Sequence, residues 1–286
     1  MEKTVYDLLD WAGIEELVYS ESANPHGLLG PHVTEEGILI QALIPTAKQV
    51  SIKMSNGKHY AMEEADPDGS YQGVFVALIP GKTVPKYTYE VVYDNDTVEE
   101  FVDPYAFAPA ITENDIKKFD AGIHYMIYEK MGAHMMTMQG TSSVYFAVWA
   151  PYALRVSVVG DFNLWDGRRH QMRKLGDSGV FELFIPGLEE RTMYKYEVKA
   201  ANGDAMLKSD PYGTYGELRP NNASIVWDVN QFAWNDDSWM KNRQKEYGKD
   251  KPMSIYEVHL GSWIRKPISI DEEGNEITGS EFYNYR

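Results

Sequence analysis

The chain repeats itself once, at a spacing too long for a solenoid. Residues 44–52 (IPTAKQVSI) resemble residues 150–158 (APYALRVSV) at an offset of 106. The same offset lays Gly73-Val74-Phe75 on Gly179-Val180-Phe181, and Ile79-Pro80-Gly81 on Ile185-Pro186-Gly187. After a one-residue slip, an offset of 107 lays residues 87–91 (YTYEV) on 194–198 (YKYEV), and Asp103-Pro104-Tyr105 on Asp210-Pro211-Tyr212. Five blocks in the same order define two copies of one module of about a hundred residues, which is the size of a domain.

Each copy reads as short strands. Residues 144–149 (VYFAVW), 155–159 (RVSVV), 180–185 (VFELFI) and 194–198 (YKYEV) are rich in β-branched and aromatic side chains and are bounded by Pro, Gly, Asn and Asp. Strands at this spacing, with no helical periodicity between them, predict antiparallel β-sandwiches of immunoglobulin-like kind. Helical spacing occurs near the N-terminus, where Val5, Leu8 and Leu9, then Ile14, Leu17 and Val18, flank Gly13. Residues 114–131 read as a connector with room for a short helix. Its His124, and His134 just beyond, read as packing or surface residues, because no second ligand stands at metal spacing. Residues 241–251 read as a polar, Lys-rich linker, followed by a single strand over residues 254–260 (SIYEVHL) and an acidic loop. A lone strand is not a domain, so the chain is expected to be the opening of something longer. The expected division is 1–112, 113–235 and 236–286.

Composition narrows the partners. The 286 residues carry a formal net charge of −16 and no cysteine. Nucleic acid and anionic membrane surfaces are disfavoured by like-charge repulsion, and disulfides, thiolate metal sites and a cysteine nucleophile are excluded. The first twenty residues contain acids and no apolar signal core, so a cytoplasmic protein is expected; the expected assembly is a monomer. The charge is uneven: residues 1–110 hold 6 basic and 18 acidic groups, against 13 and 15 over residues 111–235. No phosphate loop, dinucleotide fingerprint, H-E-x-x-H or G-x-S-x-G is present, so neither a cofactor nor a catalytic residue is assigned.

What stands out is residues 160–167 (GDFNLWDG), a Gly-flanked polar turn that carries Trp165 directly after a strand. An indole on a loop offers a flat apolar face with a polar edge, matching the C–H face and hydroxyl rim of a sugar ring. By alternation Tyr194, Tyr196 and Val198 face a core, while Lys195, Glu197 and Lys199 face outward, placing the Lys195 ammonium where it can donate to hydroxyls. The same residues also fit a plainer arrangement, in which Trp165 caps the sandwich edge and Lys195 is simply solvated.

The run WAPYALRVSVVGDFNLWDGRRHQM (residues 149–172), followed by SGVFELFIPGL, YKYEVK and SDPYG, resembles the glycogen-binding carbohydrate-binding module of bacterial 1,4-α-glucan branching enzymes. NPHGLLGPH (residues 24–32) resembles the start of their extra N-terminal module. GAHMM (residues 132–136) resembles the junction into the second module, and SIYEVHLGSW (residues 254–263) the first strand of their catalytic (β/α)₈ barrel. The resemblance runs from about residue 14 to 286.

It implies two tandem sandwiches, then the first strand of a truncated barrel, and a retaining glycosyltransferase as the parent protein. That enzyme cleaves an α-1,4 bond, holds the piece as a covalent glycosyl-enzyme and passes it to a 6-hydroxyl. Its carboxylates belong to later barrel strands, so this chain alone is expected to be inactive. The family's glucan-contacting Trp, Lys and Asn match Trp165, Lys195 and Asn222. Leu164 departs from a common Gly, and no second Trp stands near Asn202-Gly203-Asp204. The first copy has His59 and Thr88 at the positions of Trp165 and Lys195, and so is expected to lack both platform and donor. The expected partners are α-glucan, such as glycogen or amylose, and the protein's own barrel. Two rival functions are modules that scaffold the barrel without binding sugar, and a glycogen-sensing adaptor.

Overall fold

The structure is a computed structural model describing residues 4–67, 69–246 and 248–283. It divides into two compact units, Met1–Gln231 and Phe232–Arg286. The first unit begins with helix α1 (Trp11–Val18), capped by the Asp10 carboxylate, which accepts from Gly13 N at 3.1 Å. Strands β1 (Gly30–Val33), β2 (Ile38–Leu43), β3 (Ala47–Met54), β4 (His59–Ala61), β5 (Glu63–Glu64), β6 (Val74–Ile79), β7 (Tyr87–Tyr93) and β8 (Val98–Phe101) follow. They form two antiparallel sheets, ordered β1-β2-β6-β5 and β4-β3-β7-β8.

Helix α2 (Glu113–Asp120) lies in the connector; its N-cap Thr112 and Asp115 bond one another's backbone reciprocally. Then come β9 (Gly132–Met138), β10 (Thr141–Trp149), β11 (Ala153–Val159), β12 (Arg173–Lys174), β13 (Val180–Ile185), β14 (Met193–Ala200), β15 (Ala205–Lys208), β16 (Tyr215–Gly216) and β17 (Ser224–Ile225). Their sheets are β12-β13-β10-β9 and β11-β14-β17-β16, with β15 also paired to β14. The first sheet of each copy has the same strand order, so the sequence repeat is a repeat of topology. The predicted sandwiches are observed.

Copy one buries Ile38, Ile40, Phe75 and Ala77 against Val50, Ile52, Tyr89 and Val91 between its sheets. Copy two does the same with Phe146, Phe181, Leu183, Val156, Val158 and Tyr196. The outer faces of β2 and β6 are buried as well, beneath the N-terminal segment: Leu43, Val74 and Val76 share a core with Ile14 and Leu17. That core continues into the second sandwich, so the two copies and α1 share one apolar interior. Polar links reinforce the joint: Gln171 Nε2 donates to the Leu17 carbonyl at 3.0 Å, and Lys174 N to the Ala23 carbonyl at 2.7 Å. Residues 107–131, the end of the first module and the connector, cover the outer face of β10 and β13 in the same way, with Phe107, Ile111 and Met131 packed on Tyr145 and Phe184. Glu182, fully buried on that face, accepts from Arg173 Nε at 2.7 Å, from Ala110 N and Ile111 N, and from the Tyr145 hydroxyl. Every acceptor need of this carboxylate is thus met inside the protein.

His124 contacts Asp115 at 3.0 Å and His134 the Met131 carbonyl at 2.8 Å, both as packing groups. In the second unit, α3 (Asp237–Glu246) replaces most of the expected polar linker, since its Lys, Arg, Gln and Met residues are good helix formers. The expected strand over residues 254–260 is not formed. Residues 254–259 are exposed and carry no ladder bonds, and a four-residue helix α4 (Leu260–Trp263) follows. A strand exists only through hydrogen bonds to a neighbour, and no described residue supplies one here. Among the described residues no helix is long and apolar enough to cross a membrane.

Candidate glucan-binding site

Three segments converge on β14. Its outward residue Lys195 pairs across the sheet with Val159, the last residue of β11, and its neighbour Tyr194 pairs with Ser224 of β17. The Trp165 loop leaves β11 one residue after Val159, on one flank of Lys195. Asn222 enters β17 on the other. Alternation along β14 is as predicted: Tyr194 and Tyr196 are buried and Lys195 is partly exposed. Lys195 Nζ donates to Asn222 Oδ1 at 2.6 Å. Asn222 is itself held by Ser209, whose hydroxyl donates to the Asn222 carbonyl at 2.5 Å. Both residues lie at an exposed surface, Asn222 within an open depression of about 750 Å³.

The Trp165 loop is tied at several points. Trp165 N donates to the Gly160 carbonyl at 2.9 Å, while Gly160 N donates to Asn163 Oδ1 at 3.0 Å. A Cβ on Gly160 would lie 2.4 Å from the Met193 carbonyl oxygen, so only glycine lets the loop start this close to β14. Asn163 is fully buried; its amide donates to the Val158 carbonyl at 2.8 Å and to His170 Nδ1 at 2.9 Å. Burial, with a smaller push from Arg169, lowers His170 to about 3, leaving the neutral ring an acceptor can be.

At the far end, the Gly167 carbonyl accepts from Ser157 Oγ at 2.5 Å, and Arg155 bridges Ser157 (2.6 Å) and Glu197 (2.6 Å). Leu164 and Trp165 both adopt left-handed backbone, φ 57° and 60°. The partly exposed Trp165 turns its indole N–H to Asp161 Oδ1 at 2.8 Å, so the ring's polar edge is satisfied within its own loop.

The structure therefore joins Lys195 to Asn222 and sets Trp165 on a loop beside them, hydrogen-bonded to neither. Asp161, Asn163 and the Arg155–Glu197 pair were not singled out by sequence. The signal for Arg155 was available: it is a charged residue inside the otherwise largely apolar strand ALRVSVV.

Residues 10–105 match the family model described as the N-terminal domain of the α-1,4-glucan branching enzyme GlgB, and residues 130–213 match carbohydrate-binding module 48, the isoamylase N-terminal domain. The chain has the N-terminal sequence of the glycogen branching enzyme family. It is 43% identical over 270 residues to the branching enzyme GlgB of Synechococcus sp. (strain JA-3-3Ab), with 90% of this chain and 35% of that protein covered. Identity to the GlgB of Rubrobacter xylanophilus is 40% over 270 residues, covering 94% and 36%. For Protochlamydia amoebophila GlgB it is 38% over 287 residues, covering 100% and 37%. The chain spans about a third of the length of these branching-enzyme relatives. The carbohydrate-binding-module match includes Trp165 and Lys195 and stops short of Asn222.

Proposed function

We propose that this chain binds α-glucan on its second sandwich and presents it to a branching reaction in glycogen biosynthesis. In that reaction an α-1,4-linked segment is cleaved with retention and passed to a 6-hydroxyl. Trp165 supplies the stacking face, while Lys195 and Asn222 supply hydroxyl contacts. The observation that carries the reading is the Lys195–Asn222 bond beside a braced loop whose indole edge is already satisfied, so that the ring face is the surface left for a ligand. The chemistry itself needs two carboxyl groups about 5 to 5.5 Å apart, assigned here to the rest of the branching enzyme. The working division is a first, structural module over 1–112, a glucan-binding module over 113–235, and 236–286 leading into the barrel. The expected setting is a cytoplasmic monomer, and the expected inner partner is that barrel.

Glycogen co-sedimentation tests the binding claim. The chain should pellet with glycogen, and Trp165→Ala should release it; unchanged pelleting of that variant refutes the site. Iodine staining of amylose incubated with the chain tests the catalytic claim, and any loss of the blue complex would show that catalytic groups are present after all.

A further inference from the structure

A cleft of about 880 Å³ opens in the first unit, walled by the first sandwich, residues 105–108 that follow it and the turn that joins β9 to β10. That volume lies within the range of small-ligand sites. One wall is the outer face of sheet β4-β3-β7-β8. There Lys53 Nζ donates to Glu100 Oε2 at 2.6 Å, and Thr88 Oγ1 donates to Glu100 Oε1 at 2.9 Å. Lys53 and Thr88 are register partners across β3 and β7. In the repeat, Thr88 stands where Lys195 stands and Lys53 where Val159 stands, on the same sheet face. The donor expected to be missing from the first copy is therefore present, moved to the adjacent strand and held by a carboxylate where Lys195 is held by Asn222.

The lining suits an uncharged, hydroxyl-rich ligand. Two of its three cations are matched by carboxylates, Lys53 by Glu100 and Arg173 by Glu182, the latter at 2.7 Å, and the third, Lys86, donates to the Gln139 carbonyl at 3.5 Å. His26, also on the lining, is lowered to about 3 by burial and by Arg173, so it offers no imidazolium to an anion. Val84, Pro85 and Val102 add apolar surface, and Thr88 and Thr141 add hydroxyls. We propose that this cleft is a second α-glucan site, taking a short α-1,4-linked segment with its C–H faces on Val84, Pro85 and Val102 and its hydroxyls on Thr88, Glu100 and Thr141. The choice of α-glucan rests on the function proposed above.

Amide chemical shifts of the full chain, titrated with maltoheptaose, separate the two sites. One set of shifts is expected around residues 160–167, and a second around Thr88, Glu100 and Thr141. The second set should persist in Trp165→Ala. It should weaken about tenfold or more, equivalent to about 1.4 kcal/mol, in Ala108→Trp and in Ser55→Trp, which fill the cleft mouth from exposed positions on two different walls. Absence of the Thr88 set in the unaltered chain overturns the proposal, as does its survival in both filled variants. A response to inorganic phosphate in place of maltoheptaose also overturns it. Failure of the Trp165 site alone would instead silence residues 160–167 and leave the Thr88 set in place.

Discussion

Asp210 stands to Tyr194 and Tyr196 as Asp103 stands to Tyr87 and Tyr89. Asp103 Oδ2 accepts both hydroxyls, at 2.5 and 2.7 Å, and its Oδ1 accepts Tyr105 N at 2.8 Å. Asp210 Oδ2 accepts its pair at 2.6 and 3.2 Å, and its Oδ1 accepts Tyr212 N at 2.7 Å. Burial raises both carboxyls while the hydroxyl and amide donors pull them back. The Asp-Pro-Tyr repeat is thus a clasp that closes each sandwich on two tyrosines, those of β7 in the first copy and of β14 in the second.

Removing the clasp takes a shared acceptor away from two buried hydroxyls and a backbone amide. Asp103→Ala and Asp210→Ala should each cost about 3 kcal/mol or more, and a single Tyr89→Phe or Tyr196→Phe about 1 kcal/mol. Urea unfolding measures all four. Comparable losses for the two aspartates are expected from their matching partners.

Glucan affinity should fall in two distinguishable ways. Trp165→Ala removes the apolar face and should cost about 1 to 2 kcal/mol, roughly a tenfold change in affinity. Lys195→Ala and Asn222→Ala break one shared bond, so the double variant should bind little worse than either single one. Isothermal titration with maltoheptaose over this four-member cycle reads the coupling.

Leu164 is 78% exposed and sits at φ 57°. Left-handed backbone costs a residue with a Cβ about 1 to 2 kcal/mol, while glycine loses about 0.5 to 1 kcal/mol of unfolded-state entropy. The difference favours Leu164→Gly by about 0.5 kcal/mol, seen as a small rise in thermal midpoint. No change in glucan affinity is expected, because the Gly160, Asn163 and Gly167 ties remain.

Acid should weaken the fold well before the carboxylates titrate. His26 and His170 are both lowered to about 3, chiefly by burial, against about 6.5 when unfolded. Between those values the unfolded chain binds more protons, so stability falls as pH drops from about 6.5 toward 3. Both ring nitrogens of His26 are buried without a hydrogen-bond partner among the described residues. His26→Leu should therefore be near neutral at pH 7.5 and stabilising by about 2 kcal/mol at pH 5. Denaturant midpoints at the two pH values check the sign.

Much of the fold was legible because burial writes itself into pattern. The runs ILIQAL, VFVALI, VYFAVW and VFELFI do not alternate, and in the structure these strands are covered on both faces, by the partner sheet and by α1 or the connector. YKYEV does alternate, and it placed Lys195 outward. The repeat was longer than the matched blocks: Leu29-Gly30-Pro31-His32 and Met131-Gly132-Ala133-His134 lie 102 residues apart, and both histidines contact the carbonyl three residues back. A four-residue change of offset hid that match. The site was less legible, since Lys195–Asn222 and Arg155–Glu197 join strands far apart in sequence, and no local periodicity encodes such pairs. Lys53 does not show in the alignment of the two copies, because a donor can change strands while keeping its face.

The Gln171 to Leu17 bond spans 154 residues of chain. At a synthesis rate of about 5 to 20 residues per second, α1 emerges from the ribosome roughly 8 to 30 s before the strand-flanking segment that secures it. During that interval Ile14 and Leu17 lack their second-sandwich neighbours, and the face of β2 and β6 that they share has only its own module's cover. The first module's 18 acidic groups against 6 basic ones then provide like-charge repulsion that keeps such half-finished chains apart.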